Sequence, residues 1–171
     1  MITTPSERGQ VDEAAVWSAL AEIPDPEIPA ISVVDLGIVH RVDVSADTVQ
    51  VEILPTFVGC PALEAMRVGI RERLQDLAPD AKVEVEVTFE TPWTSDRITP
   101  EGRQRLAESG FAPPLTSTGP SGVLIQLATS ATCPYCGSRR TVLDNAFGPT
   151  LCRSIYYCTE CRQPFEQFKT V

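Results

Sequence analysis

The chain has 171 residues, 43% of them apolar and 22% charged, with a net charge of −9. That length holds one ordinary domain and a small second unit. No apolar run approaches the ~20 residues of a membrane helix, and the opening "MITTPSERGQ" lacks the apolar core of a secretory signal. The expectation is a cytoplasmic protein with no membrane contact.

"VDEAAVWSALAEI" reads as a short helix, with Val16, Leu20 and Ile23 on one stripe. "PDPEIP" stops it, because proline cannot continue a helix and restricts the residue before it. "IVHRVDV", "SAD" and "TVQVEIL" then read as a hairpin, with Val49, Val51 and Ile53 alternating with polar residues. Leu63, Met66, Ile70, Leu74 and Leu77 mark an amphipathic helix. "KVEVEVTFE" follows as a strand, with Val83, Val85, Val87 and Phe89 on one face and Lys82, Glu84, Glu86 and Glu90 on the other. A last helix runs from Pro100, capped by Thr99, to a stop at Gly110. The order α-β-β-α-β predicts an α+β fold: a two-layer domain with helices on one face of a mainly antiparallel sheet.

Composition changes after this. Residues 1–110 carry 20 acidic and 9 basic side chains, a net of −11, whereas residues 111–171 carry 3 and 5, a net of +2. Between them "FAPPLTSTGPSG", residues 111–122, has linker chemistry. The expected organisation is a first domain over 1–110, a linker over 111–122 and a small β domain over 123–171. An acidic main body argues against nucleic-acid binding there, because phosphate contacts supply most of that affinity.

Five of the six cysteines fall in the last segment. Cys133, Cys136, Cys158 and Cys161 form C-x2-C-x21-C-x2-C, close to a zinc-ribbon spacing. Four thiolates from two knuckles suit tetrahedral Zn²⁺, here a structural ion, although iron–sulfur clusters use four cysteines as well. A ribbon so short of core residues draws much of its folding energy from the metal. Phe147, Tyr157, Phe165 and Phe168 are its expected core. Cys152 is the odd one, either packing beside this site or becoming a fourth ligand of an exchangeable cluster. Arg139, Arg140 and Arg153 invite a nucleic-acid reading, but Zn²⁺ with four thiolates carries −2 and offsets the segment's +2. A docking role fits better.

The sixth cysteine stands in "TFVGCPALEAM". Pro61 suits a first helical position, which would put Cys60 at the helix N-cap, where orphan N–H groups and the helix dipole favour a thiolate. The bland alternative is a small buried hydrophobe. Asp25, Glu27 and Asp35 lie in irregular segments that converge near the helix mouth on the functional reading, and are ordinary turn residues on the bland one. His40, the only histidine, reads as a sheet residue rather than a ligand.

"DPEIPAISVVDLGIV" followed by "TFVGCPA" resembles the motif pair of SufT-type iron–sulfur assembly domains. "TPWTSDRITPEGRQRLAESGFAPP" and the cysteine-rich tail resemble one branch, the PaaD family of phenylacetyl-CoA epoxidase systems. The likeness covers nearly the whole chain from about residue 12. It implies a working thiol at Cys60 that handles iron or a transient Fe–S cluster, beside which position alone makes Asp25, Glu27 and Asp35 candidate companions. The implied role is a non-catalytic accessory or maturation subunit for an oxygenase or reductase subunit in phenylacetate degradation. Its partners would be those subunits, with no nucleic acid and no membrane; homodimerisation is left open. A di-iron oxygenase centre would need several histidines and carboxylates, and the chain has one histidine. Two other functions compete: a thiol–disulfide oxidoreductase using Cys60 or a C-x-x-C pair, and a nucleic-acid-binding zinc ribbon.

Overall fold

The structure is a computed structural model that describes residues 11–57, 59–114 and 131–170. Helix α1 spans Glu13–Ala21, and the Asp12 side chain caps it by accepting from the Ala15 amide at 2.7 Å. Strands β1 (Val39–Val44) and β2 (Thr48–Ile53) form the expected hairpin. Helix α2 spans Leu63–Leu77 and buries Met66, Ile70 and Leu74. It carries the chain across to β3 (Lys82–Val87), which therefore joins β2 in parallel rather than antiparallel. The sheet order is β1-β2-β3. Helix α1 packs on α2 and β1, and α2 on β3, which gives the two-layer arrangement. Val83 and Val85 face that layer, but β3 ends at Val87 and Phe89 is exposed.

Helix α3 covers Pro100–Glu108 with Thr99 as its cap, and Gly110 takes a φ of +86° just beyond it. Its entry is tied back to the first loop: the Thr99 amide donates to the Asp35 carbonyl at 2.9 Å. The Trp93 indole N–H donates to the Leu36 carbonyl at 3.0 Å.

The second sheet runs β4 (Phe111–Ala112), β7 (Pro164–Phe168), β6 (Arg153–Cys158) and β5 (Thr141–Asn145). Composition puts Phe111 and Ala112 in the linker, yet they pair in parallel with Glu166 and Gln167 of β7. An apolar pair next to a helix stop satisfies its backbone on the ribbon's open edge. The rest of the expected linker, and the ribbon's first residues to 130, lie outside the described residues.

The aromatic residues depart most from expectation. Phe165 stacks on Tyr156 in the ribbon's small core, with ring centres 5.8 Å apart. Phe168 does not join them: it is 2% exposed within the core of the first layer, against Trp93 at 5.8 Å. Phe147 is exposed, and Tyr157 lies partly open on the sheet. Alternation along β7 explains the split, since Phe165 and Phe168 are three apart and lie on opposite faces of the strand. The ribbon is thus clamped to the first domain by its last aromatic.

Candidate functional site

Two sets of cysteines are assembled. In the ribbon, the sulfurs of Cys133, Cys136, Cys158 and Cys161 all lie within 4.8 Å of one another. The Cys133–Cys161 and Cys136–Cys158 pairs are each 3.6 Å apart. A tetrahedral ion with metal–sulfur bonds of ~2.3 Å needs sulfur separations near ~3.8 Å, so this donor set fits a closed four-thiolate metal site.

Both knuckles are built alike. The Gly137 amide donates to the Cys133 carbonyl at 2.9 Å, and the Arg162 amide to the Cys158 carbonyl at 2.9 Å. Both residues take left-handed φ, +71° and +59°. The second knuckle uses an arginine where glycine is at ease, so nothing in the sequence announces its match to the first. The backbone N–H of Cys161 holds the Cys158 thiol below its ordinary value, whereas burial pushes Cys161 up to about 12. Four sulfurs this close need a cation among them to ionise together.

The other set lies where the ribbon meets the first domain. Asp25, Glu27, Thr56, Cys60, Cys152 and Arg153 line one cleft, closed below by Met66 and Phe168, with an enclosed volume of about 20 Å³. That is room for about one water or one ion, not for an organic substrate.

Cys60 is not the helix cap. The N-cap of α2 is Ala62, and Cys60 stands two residues earlier in a turn closed by its amide on the Phe57 carbonyl at 3.1 Å. The Leu63 amide reaches the Cys60 carbonyl at 3.3 Å, so a further turn intervenes before the helix proper. Gly59, with φ +81° and nothing near its absent side chain, makes that approach possible. The sulfur is half-buried against the apolar core and owes its setting to the cleft rather than to the helix end.

Asp25 is 6% exposed, and its Oδ1 accepts from the amides of Glu27 and Ile28 at 2.8 and 2.7 Å. Burial nevertheless raises its carboxyl above the ordinary value, outweighing those two bonds. Glu27 is ion-paired to Arg153 at 3.0 Å. Asp35 faces elsewhere: it pairs with Arg105 at 2.6 Å and accepts from the Thr99 hydroxyl at 3.2 Å, anchoring α3. Two of the three acidic candidates therefore share the cleft with Cys60. His40 is half-buried in β1 beside a register shift, and its Nδ1 has no hydrogen-bond partner among the described residues.

Cys152 is outside the four-sulfur cluster and packs on the first domain's core. The Lys169 amide holds its carbonyl at 2.8 Å, and the Thr150 Oγ1 lies 3.1 Å from its sulfur. Arg153 Nε donates to that same hydroxyl at 2.8 Å, leaving the hydroxyl proton free to point at sulfur. Burial raises the Cys152 thiol above its ordinary value, and the nearby Cys60 adds to this. Arg153 also meets Glu166 at 2.9 Å and lies over the Phe111 ring at 5.7 Å, so it is no nucleic-acid contact. Sequence reasoning misses Thr150, Arg153 and Phe168 as parts of this cleft; a lone basic residue in a basic segment gives no sign that it faces inward. Among the described residues no helix is long and apolar enough to cross a membrane.

Comparisons with known proteins match two separate stretches of the chain. Residues 13–87 match the model of an iron–sulfur cluster assembly protein family, and residues 117–169 that of the PaaD zinc beta ribbon domain. An Escherichia coli K12 protein, named provisionally as the D component of a 1,2-phenylacetyl-CoA epoxidase, is 37% identical over 91% of this chain and 92% of its own length. An Fe–S protein maturation auxiliary factor of Porphyromonas gingivalis is 34% identical over 58% of this chain and 91% of its own. A DUF59 domain crystal structure from Bacillus anthracis superposes with a TM-score of 0.51 at 24% identity, covering 55% of this chain and 90% of that one, which supports the fold alone.

Proposed function

Because the chain belongs to the PaaD family of phenylacetyl-CoA epoxidase components, we propose that it is a non-catalytic accessory subunit. On this reading it passes iron or an Fe–S cluster to an oxygenase or reductase subunit, and Cys60 is the residue that holds the cargo. The observation that carries this reading is the cleft. A half-buried thiol and a buried carboxyl of raised pKa share a space of about 20 Å³ at the mouth of the iron–sulfur assembly fold. Iron fits there and phenylacetyl-CoA does not, which favours cargo handling over ring chemistry.

In transfer, the Cys60 sulfur gives up its proton on ligating iron and regains one when a partner's thiolate or carboxylate replaces it. The exchange moves no electrons. Asp25, which lines the same cleft and has a raised affinity for protons, takes and returns that proton on this reading. The ribbon holds one structural Zn²⁺ through Cys133, Cys136, Cys158 and Cys161, because a closed four-thiolate set leaves no open position for exchange. Its function is to shape the cleft and dock the partner.

The test is a co-expression of the epoxidase subunits with this chain. Cys60→Ala should leave the chain folded and its zinc bound while the catalytic subunits accumulate without their metal and growth on phenylacetate fails. Fully loaded, active partners would contradict the reading.

A further inference from the structure

Resting on that reading of Cys60, we infer that Cys152 is the second thiol ligand of the same iron site, so the site is split between the assembly domain and the ribbon. Three observations carry it. Cys60 and Cys152 come from segments far apart in the chain and line one cleft of about 20 Å³. Cys152 is held in place by a dedicated set of bonds: its carbonyl by the Lys169 amide, its sulfur by Thr150, and Thr150 in turn by Arg153. Its backbone is fixed to the first domain through the pair of Arg153 with Glu27, 3.0 Å apart, and through buried Phe168 beside it.

The division of ligands follows from what else is engaged. Glu27 is paired with Arg153 and Asp25 Oδ1 accepts from two turn amides, so the two sulfurs are the soft donors that line the cleft. Among the described residues, only the ribbon cysteines bring three or more ligand atoms within 4.8 Å. The Cys60–Cys152 site is therefore incomplete by construction. It offers two thiolates and leaves the remaining positions of an iron atom to a partner or a small thiol. A site that must release its cargo requires such incompleteness, just as exchangeable and catalytic metal sites keep open positions while structural ones close. Ligation replaces two S–H bonds by two S–metal bonds and releases two protons, with no change of oxidation state.

The test uses the zinc-replete full chain, titrated anaerobically with Co²⁺ as a stand-in for Fe²⁺. Zinc outcompetes cobalt for the ribbon, so added Co²⁺ reports the second site. Wild type should bind one further cobalt with a sulfur-to-metal charge-transfer band. Cys152→Ser and Cys60→Ser should each halve that band per bound metal and weaken binding at least tenfold, and the double variant should abolish it. Zinc content and near-ultraviolet circular dichroism, with Cys152→Ala as a second variant, separate loss of ligand from loss of fold. A short bifunctional thiol reagent should also join Cys60 to Cys152 in the native chain. If Cys152→Ser keeps the wild-type band and affinity while Cys60→Ser loses them, the shared site is wrong and the Cys60 reading stands. If Cys60→Ser also behaves as wild type, or wild type binds no further cobalt, both fall.

Discussion

Arg153 Nη2 lies 3.0 Å from Glu27 Oε2, tying the first residue of β6 to a turn 126 positions earlier. The guanidinium is 9% exposed and also meets Glu166 at 2.9 Å, so one buried cation serves a carboxylate on each side of the junction. Removing it strands both. Arg153→Ala should therefore destabilise the chain by about 3 kcal/mol in urea unfolding, the scale for breaking a buried pair from one side. The loss should persist in high salt, unlike that of a surface pair.

Phe168 makes the same junction through packing. Phe168→Ala should cost about 3–5 kcal/mol, because its ring is 2% exposed beside Trp93. Phe147→Ala should change stability by less than about 0.5 kcal/mol, since that ring is exposed. Thermal or urea unfolding of the two variants side by side checks both.

Much of this architecture is legible in the sequence, and what is not has physical causes. The α2 stripe of Met66, Ile70 and Leu74 and the β2 alternation of Val49, Val51 and Ile53 stand out because each element buries one face. The C-x2-C pairs stand out because tetrahedral ligation constrains spacing. Phe168 reads as a ribbon residue because periodicity shows which residues share a face, not which layer that face meets. Cys60 reads as a helix cap because proline after cysteine suits a helix start, and an intervening turn leaves no mark in composition. Asp35 looks like Asp25 in sequence. Only the chain path shows that Asp35 holds Arg105 and Thr99 while Asp25 turns to the cleft.

The ribbon's metal should matter beyond the ribbon. About one zinc per chain is expected by elemental analysis, and Cys133→Ser should lose it together with the fold of residues 131–170. Because Phe168 and Arg153 come from that segment, the first domain should also lose several kcal/mol, lowering its own unfolding midpoint. An unchanged midpoint would mean that the two parts are energetically independent.

Asp25 gives a pH signature. Burial raises its carboxyl above the ordinary 3.8, so the folded state holds this proton more tightly than the unfolded chain does. The associated stability is present below pH ~4 and is lost as pH rises through the folded value. Asp25→Asn keeps an acceptor for the Glu27 and Ile28 amides and has no charge to bury. The variant should gain on wild type from pH 3 upward and then run level with a constant advantage near neutrality. A difference that is flat from pH 3 to 7 would contradict the assignment.

The most direct measurement is transfer itself. Purified chain, zinc-replete and loaded anaerobically with labelled iron, is mixed with an iron-free epoxidase or reductase subunit, and label on the acceptor is followed over time. The account predicts transfer from wild type and a loss of at least tenfold with Cys60→Ser, with the zinc content and circular dichroism of the variant unchanged. Equal transfer from wild type and Cys60→Ser would contradict it.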